Sequence, residues 1–225
     1  MNEPGSLCEM PTEPREREEH WNAVSHGVGC LAALVTLPIL MLQASGDGDT
    51  WVLVGCLIFG STMILTLGTS AFYHASRSPS WRRRLRVLDH ASIYLLIAGS
   101  YTPICLTGLR GPWGTGILIT VWSMAAAGVL LKLRFTGRFE ILSTSMYLVM
   151  GWICIIAVVP MFQNLGGVSL IALLAAGTAF TVGVVFYLQD HRRGYHFIWH
   201  LFVATGCAGL YAAVFAEVAR LGTVN

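Results

Sequence analysis

Seven apolar runs, each about twenty residues long, dominate the chain and are separated by short islands of charge. A helix of that length rises about 30 Å, the thickness of a bilayer's hydrocarbon core. The runs fall at about 22–44, 51–75, 87–108, 112–132, 140–161, 167–188 and 196–219. Charged residues make up 12% of the sequence, against roughly 25% in an ordinary soluble domain. A transmembrane barrel would instead alternate apolar and polar residues over segments of about ten residues. The expectation is an all-α integral membrane protein, a bundle of seven transmembrane helices. The extreme N terminus, MNEPGSLCEMPTEPREREE, carries six glutamates and two arginines without an apolar core. It does not read as a secretory signal, so the first run is expected to direct insertion.

Lysine and arginine set the expected orientation. With a cytoplasmic N terminus, twelve of the fourteen basic residues fall in inner segments, and only Arg110 and Arg220 lie outside. The positive-inside rule then puts the N terminus in the cytoplasm and the C terminus outside. Residues 1–20 are expected to form an acidic tail, 21–220 one membrane domain and 221–225 a short end. SRSPSWRRRLR, 76–86, reads as a basic inner loop. The expected location is the cell membrane, with membrane lipids as partners and no role for nucleic acid. Pro38, Pro103 and Pro160 lie towards the outer ends of their helices, where a kink is accommodated cheaply. Five of the six cysteines fall within the runs and none forms a CxxC pair, so those five read as small buried apolar residues.

Ionisable groups in hydrocarbon cost several kcal/mol and call for a reason. His26, His74, Asp89, His90, His196 and His200 all fall towards the expected cytoplasmic side, although they come from four runs. His196 and His200, in GYHFIWHLF, are four apart and share a helix face, a spacing that lets both imidazoles reach one metal ion. Helix capping or a backbone hydrogen bond would explain either one alone. Ser70 and His74 share a face at the end of the second run. Asp89 is expected in the first turn of the third helix, where the positive helix N terminus could account for a carboxylate. Taken together, three histidines and one carboxylate are the residue types of a catalytic zinc site that keeps an open position. His26 is left as either a supporting or a packed residue. His90 points about 100° away from Asp89 and is not assigned to the metal. His20 and His191 read as solvated.

EEHWNAVSHGVG at 18–29, SAFYH at 70–74 with LDHASIYLLIAGSYTP at 88–103, and HFIWH at 196–200 resemble the hemolysin III family. That family is the bacterial branch of the progestin and adiponectin receptor superfamily. The resemblance covers about residues 18–219 and implies a seven-helix bundle, N terminus inside, with Zn2+ near its inner side. It implies His74, His196 and His200 as ligands, Asp89 as the residue orienting the zinc-bound water and acting as general base, and Ser70 in the surrounding shell. Glu19 and Asn22 match the first-helix motif as supporting polar contacts, as does His26. Kinship with alkaline ceramidases suggests hydrolysis of a lipid amide bond. The alternatives are a receptor-like or regulatory protein with structural zinc, a proton or ion transporter or channel, and cytolysis.

Overall fold

The computed structural model describes residues 13–46 and 48–222, with side chains from Glu16 onwards. Among these residues the chain is helical and has no strand. In order, α1 is Glu13–Ser45, α2 Thr50–Ala75, α3 Pro79–Leu106, α4 Pro112–Phe135 and α5 Glu140–Trp152. A 3-10 turn, Ile153–Ala157, leads to α6, Val158–Asn164, followed by α7, Gly167–Tyr187, and α8, Tyr195–Gly222. Six segments are long and apolar enough to cross a membrane: 16–45, 50–75, 112–135, 140–164, 167–187 and 195–222.

α3 is not among the six, and its packing explains why. It lies against α2 and α4 and also touches α5 and α8. Tyr94, Leu96, Ala98, Ile104 and Cys105 of α3 are all buried, so its surroundings are mostly protein and its sequence is freed from the apolarity that lipid demands. α1 through α4 pack in succession, α7 packs on α8, and α8 returns against α1. Small residues let the backbones approach: a Cβ on Gly55 would meet the Pro103 Cα at 2.8 Å.

Two helix starts depart from expectation. The segment 76–86 is not a loop, because α3 starts at Pro79. Proline suits the first helical turn and arginine is a good helix former, so the basic run continues the helix. Asp89 is therefore eleven residues into α3 rather than in its first turn, and the helix N terminus does not account for it. α1 likewise begins at Glu13, so residues 13–20 are helical, while 1–12 lie outside the described residues.

The run 140–161 is interrupted. The Tyr101 hydroxyl lies 2.9 Å from the Met150 carbonyl oxygen and 2.8 Å from that of Gly151, with one proton to donate to them. It also accepts the Cys154 N–H at 3.2 Å. A side chain wedged into the i→i−4 ladder in this way breaks a helix, and Pro160 removes a further donor beyond it.

Candidate metal centre

Contacts of Glu18 and Glu19 with Gly194, His74 and Arg82, and of Glu140 with Arg86, Lys132 and Tyr187, bring the starts of α1, α3, α5 and α8 and the ends of α2, α4 and α7 to one end of the bundle. There, His74 in the last turn of α2 meets His196 and His200 in the first two turns of α8. One ring nitrogen from each lies within 4.8 Å of the others. Ring centroids are 5.1 Å apart for His74 and His196, 4.7 Å for His74 and His200, and 4.9 Å for His196 and His200. The i,i+4 spacing in α8 delivers two of these rings, and the packing of α2 brings the third.

α1 supplies the support. Glu19 Oε2 lies 2.7 Å from His74 Nδ1, while Glu19 Oε1 accepts from Arg82 Nη2 at 2.7 Å. A carboxylate held by a guanidinium accepts a hydrogen bond, so Nδ1 carries the proton and Nε2 is left for the cluster. His74 Nε2 and His200 Nδ1 are buried without a hydrogen-bond partner. Bonds of 2.0–2.1 Å in a tetrahedral site set nitrogens about 3.4 Å apart, so modest ring rotation closes this group on one ion. Such a cluster can hold a metal ion: imidazole nitrogens suit several first-row divalent cations, zinc among them.

His26 stacks on His200 with centroids 3.8 Å apart, and its Nε2 donates to the His200 carbonyl at 3.3 Å. Asn22 is buried one turn earlier on the same face of α1, with its Oδ1 unpartnered. Ser70 is buried one turn before His74. Asp89 is not one of the three clustered ligands. Its nearest ionisable contact is His90 Nδ1 at 3.8 Å, and that nitrogen bonds the Arg86 carbonyl at 2.8 Å. His20 and His191 are exposed.

All six ionisable residues singled out in the apolar runs line one cavity of about 1360 Å³. It is larger than the roughly 300–1,000 Å³ of ordinary small-molecule sites. From the histidines it extends along α3 past Ile93, Ile97 and Ile104 to Leu109 and Leu210, an apolar lining for most of its length. Sequence reasoning passed over Arg82, which it treated as loop, and Glu18, whose Oε1 accepts the Gly194 N–H at 3.1 Å just before α8. The signal for Arg82 was Pro79, a helix-start residue three positions earlier.

Residues 15–211 match the haemolysin-III-related family. The "Hemolysin-3 homolog" of Bacillus subtilis is 39% identical over 198 residues, 88% of this chain and 93% of that one. "Hemolysin-3" of Bacillus cereus is also 39% identical over 198 residues, 88% of this chain and 90% of its own. The human "Monocyte to macrophage differentiation factor" is 28% identical over 220 residues, 94% and 89% of the two chains. No solved structure matches significantly. The match over nearly the whole chain, histidine cluster included, makes this protein a member of the haemolysin-III-related family.

Proposed function

We propose that the chain is a zinc-dependent hydrolase of lipid amide bonds in the cell membrane, with seven spans and a cytoplasmic N terminus. In this reading α3 is the seventh span, and the histidine end faces the cytoplasm. The clustering of basic residues in the segments at that end supports the orientation.

One observation carries the chemical reading. Three histidine nitrogens converge beside a partnered Glu19 at the polar end of a long, largely apolar cavity. His74, His196 and His200 would hold the ion. Bound zinc would supply Lewis acidity, polarising a carbonyl and acidifying water. Asp89, which lines the same cavity, accepts a proton from the attacking water and passes it to the leaving amine, while the Ser70 hydroxyl offers a hydrogen bond to the reacting group. Glu19 keeps His74 in one tautomer, and His26 buttresses the His200 ring. The apolar length of the cavity takes the lipid chain and leaves the polar amide at the histidines.

The experiment is elemental analysis of the detergent-purified chain, followed by turnover of a panel of lipid amides and esters by zinc-loaded protein. About one zinc per chain with amide turnover that Asp89→Asn abolishes supports the proposal. Stoichiometric zinc with no turnover across the panel would refute catalysis and favour a structural or regulatory ion. Cytolysis, the activity printed in the names of the two Bacillus relatives, is a second reading. It is tested by red-cell lysis with wild type and Asp89→Asn side by side; lysis that survives the substitution would be independent of the hydrolytic site.

A further inference from the structure

Arg82 makes three contacts that converge on a single ligand. Its Nη2 donates to Glu19 Oε1 at 2.7 Å. Its Nη1 lies 3.5 Å from the carbonyl oxygen of Ser76, the residue that caps α2. Its guanidinium carbon sits 4.7 Å over the Tyr73 ring. Tyr73 and Ser76 flank His74 in sequence, and Glu19 bonds the His74 ring at 2.7 Å through its other oxygen. One side chain of α3 thereby clamps α1 and the last turn of α2 around His74.

We propose that Arg82 is a positioning residue of the metal centre, acting through Glu19 to fix the ring orientation and tautomer of His74. The role rests on the metal-binding reading above. A planar fork is needed to stack on Tyr73 while it donates in two directions; an ammonium can satisfy one of these demands at a time. Glu19 has a side-chain exposure of 21% and has room to turn towards water once the guanidinium is gone. His74 then loses the acceptor that holds Nδ1–H, and Nε2 is no longer held towards His196 and His200.

The sign of the effect separates this role from simple electrostatics. Removing a positive charge near a cation site should tighten metal binding by Coulomb's law alone. Loss of positioning should weaken it. Arg84 provides the control, because it is exposed on the same helix and contacts the Trp81 ring at 5.7 Å rather than Glu19.

The test uses the full chain in detergent, with Zn2+ affinity measured against a chromophoric chelator and the ligand-field spectrum recorded with Co2+. Arg82→Gln and Glu19→Gln should each weaken Zn2+ binding by about 10–100-fold and alter the Co2+ spectrum. Arg82→Lys, which keeps charge and length, should recover part of the loss. Arg84→Gln should bind as wild type or slightly tighter. The double variant Arg82→Gln/Glu19→Gln should be no weaker than Glu19→Gln alone, because both substitutions cut one path. Wild-type or tighter affinity in Arg82→Gln, an unaltered spectrum, or losses that multiply in the double variant would each overturn the role. Wild type that takes up no metal sinks the metal centre itself and this role with it; wild type that binds while Arg82→Gln is unaffected sinks the role alone.

Discussion

Glu217 offers a stability test far from the histidines. Its side chain, with 1% relative exposure, is buried near the end of α8. Oε2 accepts from the Gly166 N–H at 3.0 Å and the Ser169 hydroxyl at 3.1 Å. Oε1 accepts from Arg220 Nε at 3.2 Å and Nη2 at 2.5 Å. The carboxylate thus ties α8 to the start of α7, and the Arg220 bond to the Asn164 carbonyl at 2.8 Å adds α6. Glu217→Leu keeps the volume and removes every acceptor. The Ser169 hydroxyl is orphaned in full and the half-buried Gly166 N–H in part, at about 1–3 kcal/mol per orphaned group. Arg220, 38% exposed, retains water and adds little. The expected loss is about 2–4 kcal/mol, or roughly 5–15 °C in midpoint for a chain of this size. Glu217→Gln, which keeps one acceptor oxygen, should lose about half as much. The assay is thermal unfolding of detergent-purified protein with metal content measured in parallel. Glu217 is seventeen residues beyond His200, about 26 Å along α8, so metal content should not change. A Glu217→Leu midpoint equal to wild type, or a loss of metal with the fold intact, would refute the account.

Three further perturbations probe the centre, the broken helix and the opposite loop. His200→Ala should reduce metal from about one ion per chain to near zero by elemental analysis, whereas His90→Gln should retain it, since the His90 ring bonds the Arg86 carbonyl outside the cluster. Equal retention by both would place the ion elsewhere. Tyr101→Phe takes the acceptor from the Cys154 N–H, while the Met150 carbonyl keeps the Ile153 N–H and the Gly151 carbonyl the Cys154 thiol, which should cost about 1–3 kcal/mol and speed hydrogen exchange around 150–154. Unchanged exchange there would mean that the hydroxyl does not hold the break. Asp49 caps α2 by accepting the Trp51 N–H, and that bond, with Arg110 at 2.6 Å, holds its carboxyl below the ordinary value. A depressed pKa contributes stability that is present above the unfolded value of about 4 and is lost as pH falls. Asp49→Asn should therefore flatten the acid limb of a midpoint-against-pH curve, and an acid limb identical to wild type would count against the cap.

The site was legible from residue chemistry to the extent that chemistry alone made its residues conspicuous. His74, His196 and His200 stand out because hydrocarbon tolerates no idle imidazole, and the structure brings their rings together. His26 is equally conspicuous, but only packing reveals that it stacks on His200 and bonds its carbonyl. Periodicity places a residue on a face of its own helix and says nothing of the neighbour opposite. Arg82 and Glu19 are 63 residues apart, and no spacing rule connects them.

The boundaries that sequence misjudged share one cause. Hydropathy reports where the membrane ends, whereas hydrogen bonding decides where a helix ends. Around 76–86 the two boundaries separate: arginines mark the edge of the apolar region, yet the backbone from Pro79 is already helical. Within 140–161 the opposite holds, because hydropathy continues unbroken while the Tyr101 hydroxyl and Pro160 interrupt the ladder. α3 completes the pattern, being too polar to register as a membrane span on its own yet packed against four other helices. The consequence reaches the candidate site. A helix that begins before the apolar region carries Arg82 on its first turn, from which the guanidinium reaches Glu19 and, through it, His74. Had α3 started at the membrane edge near residue 87, as the arginines suggested, that residue would sit in a solvated loop and His74 would lack the clamp.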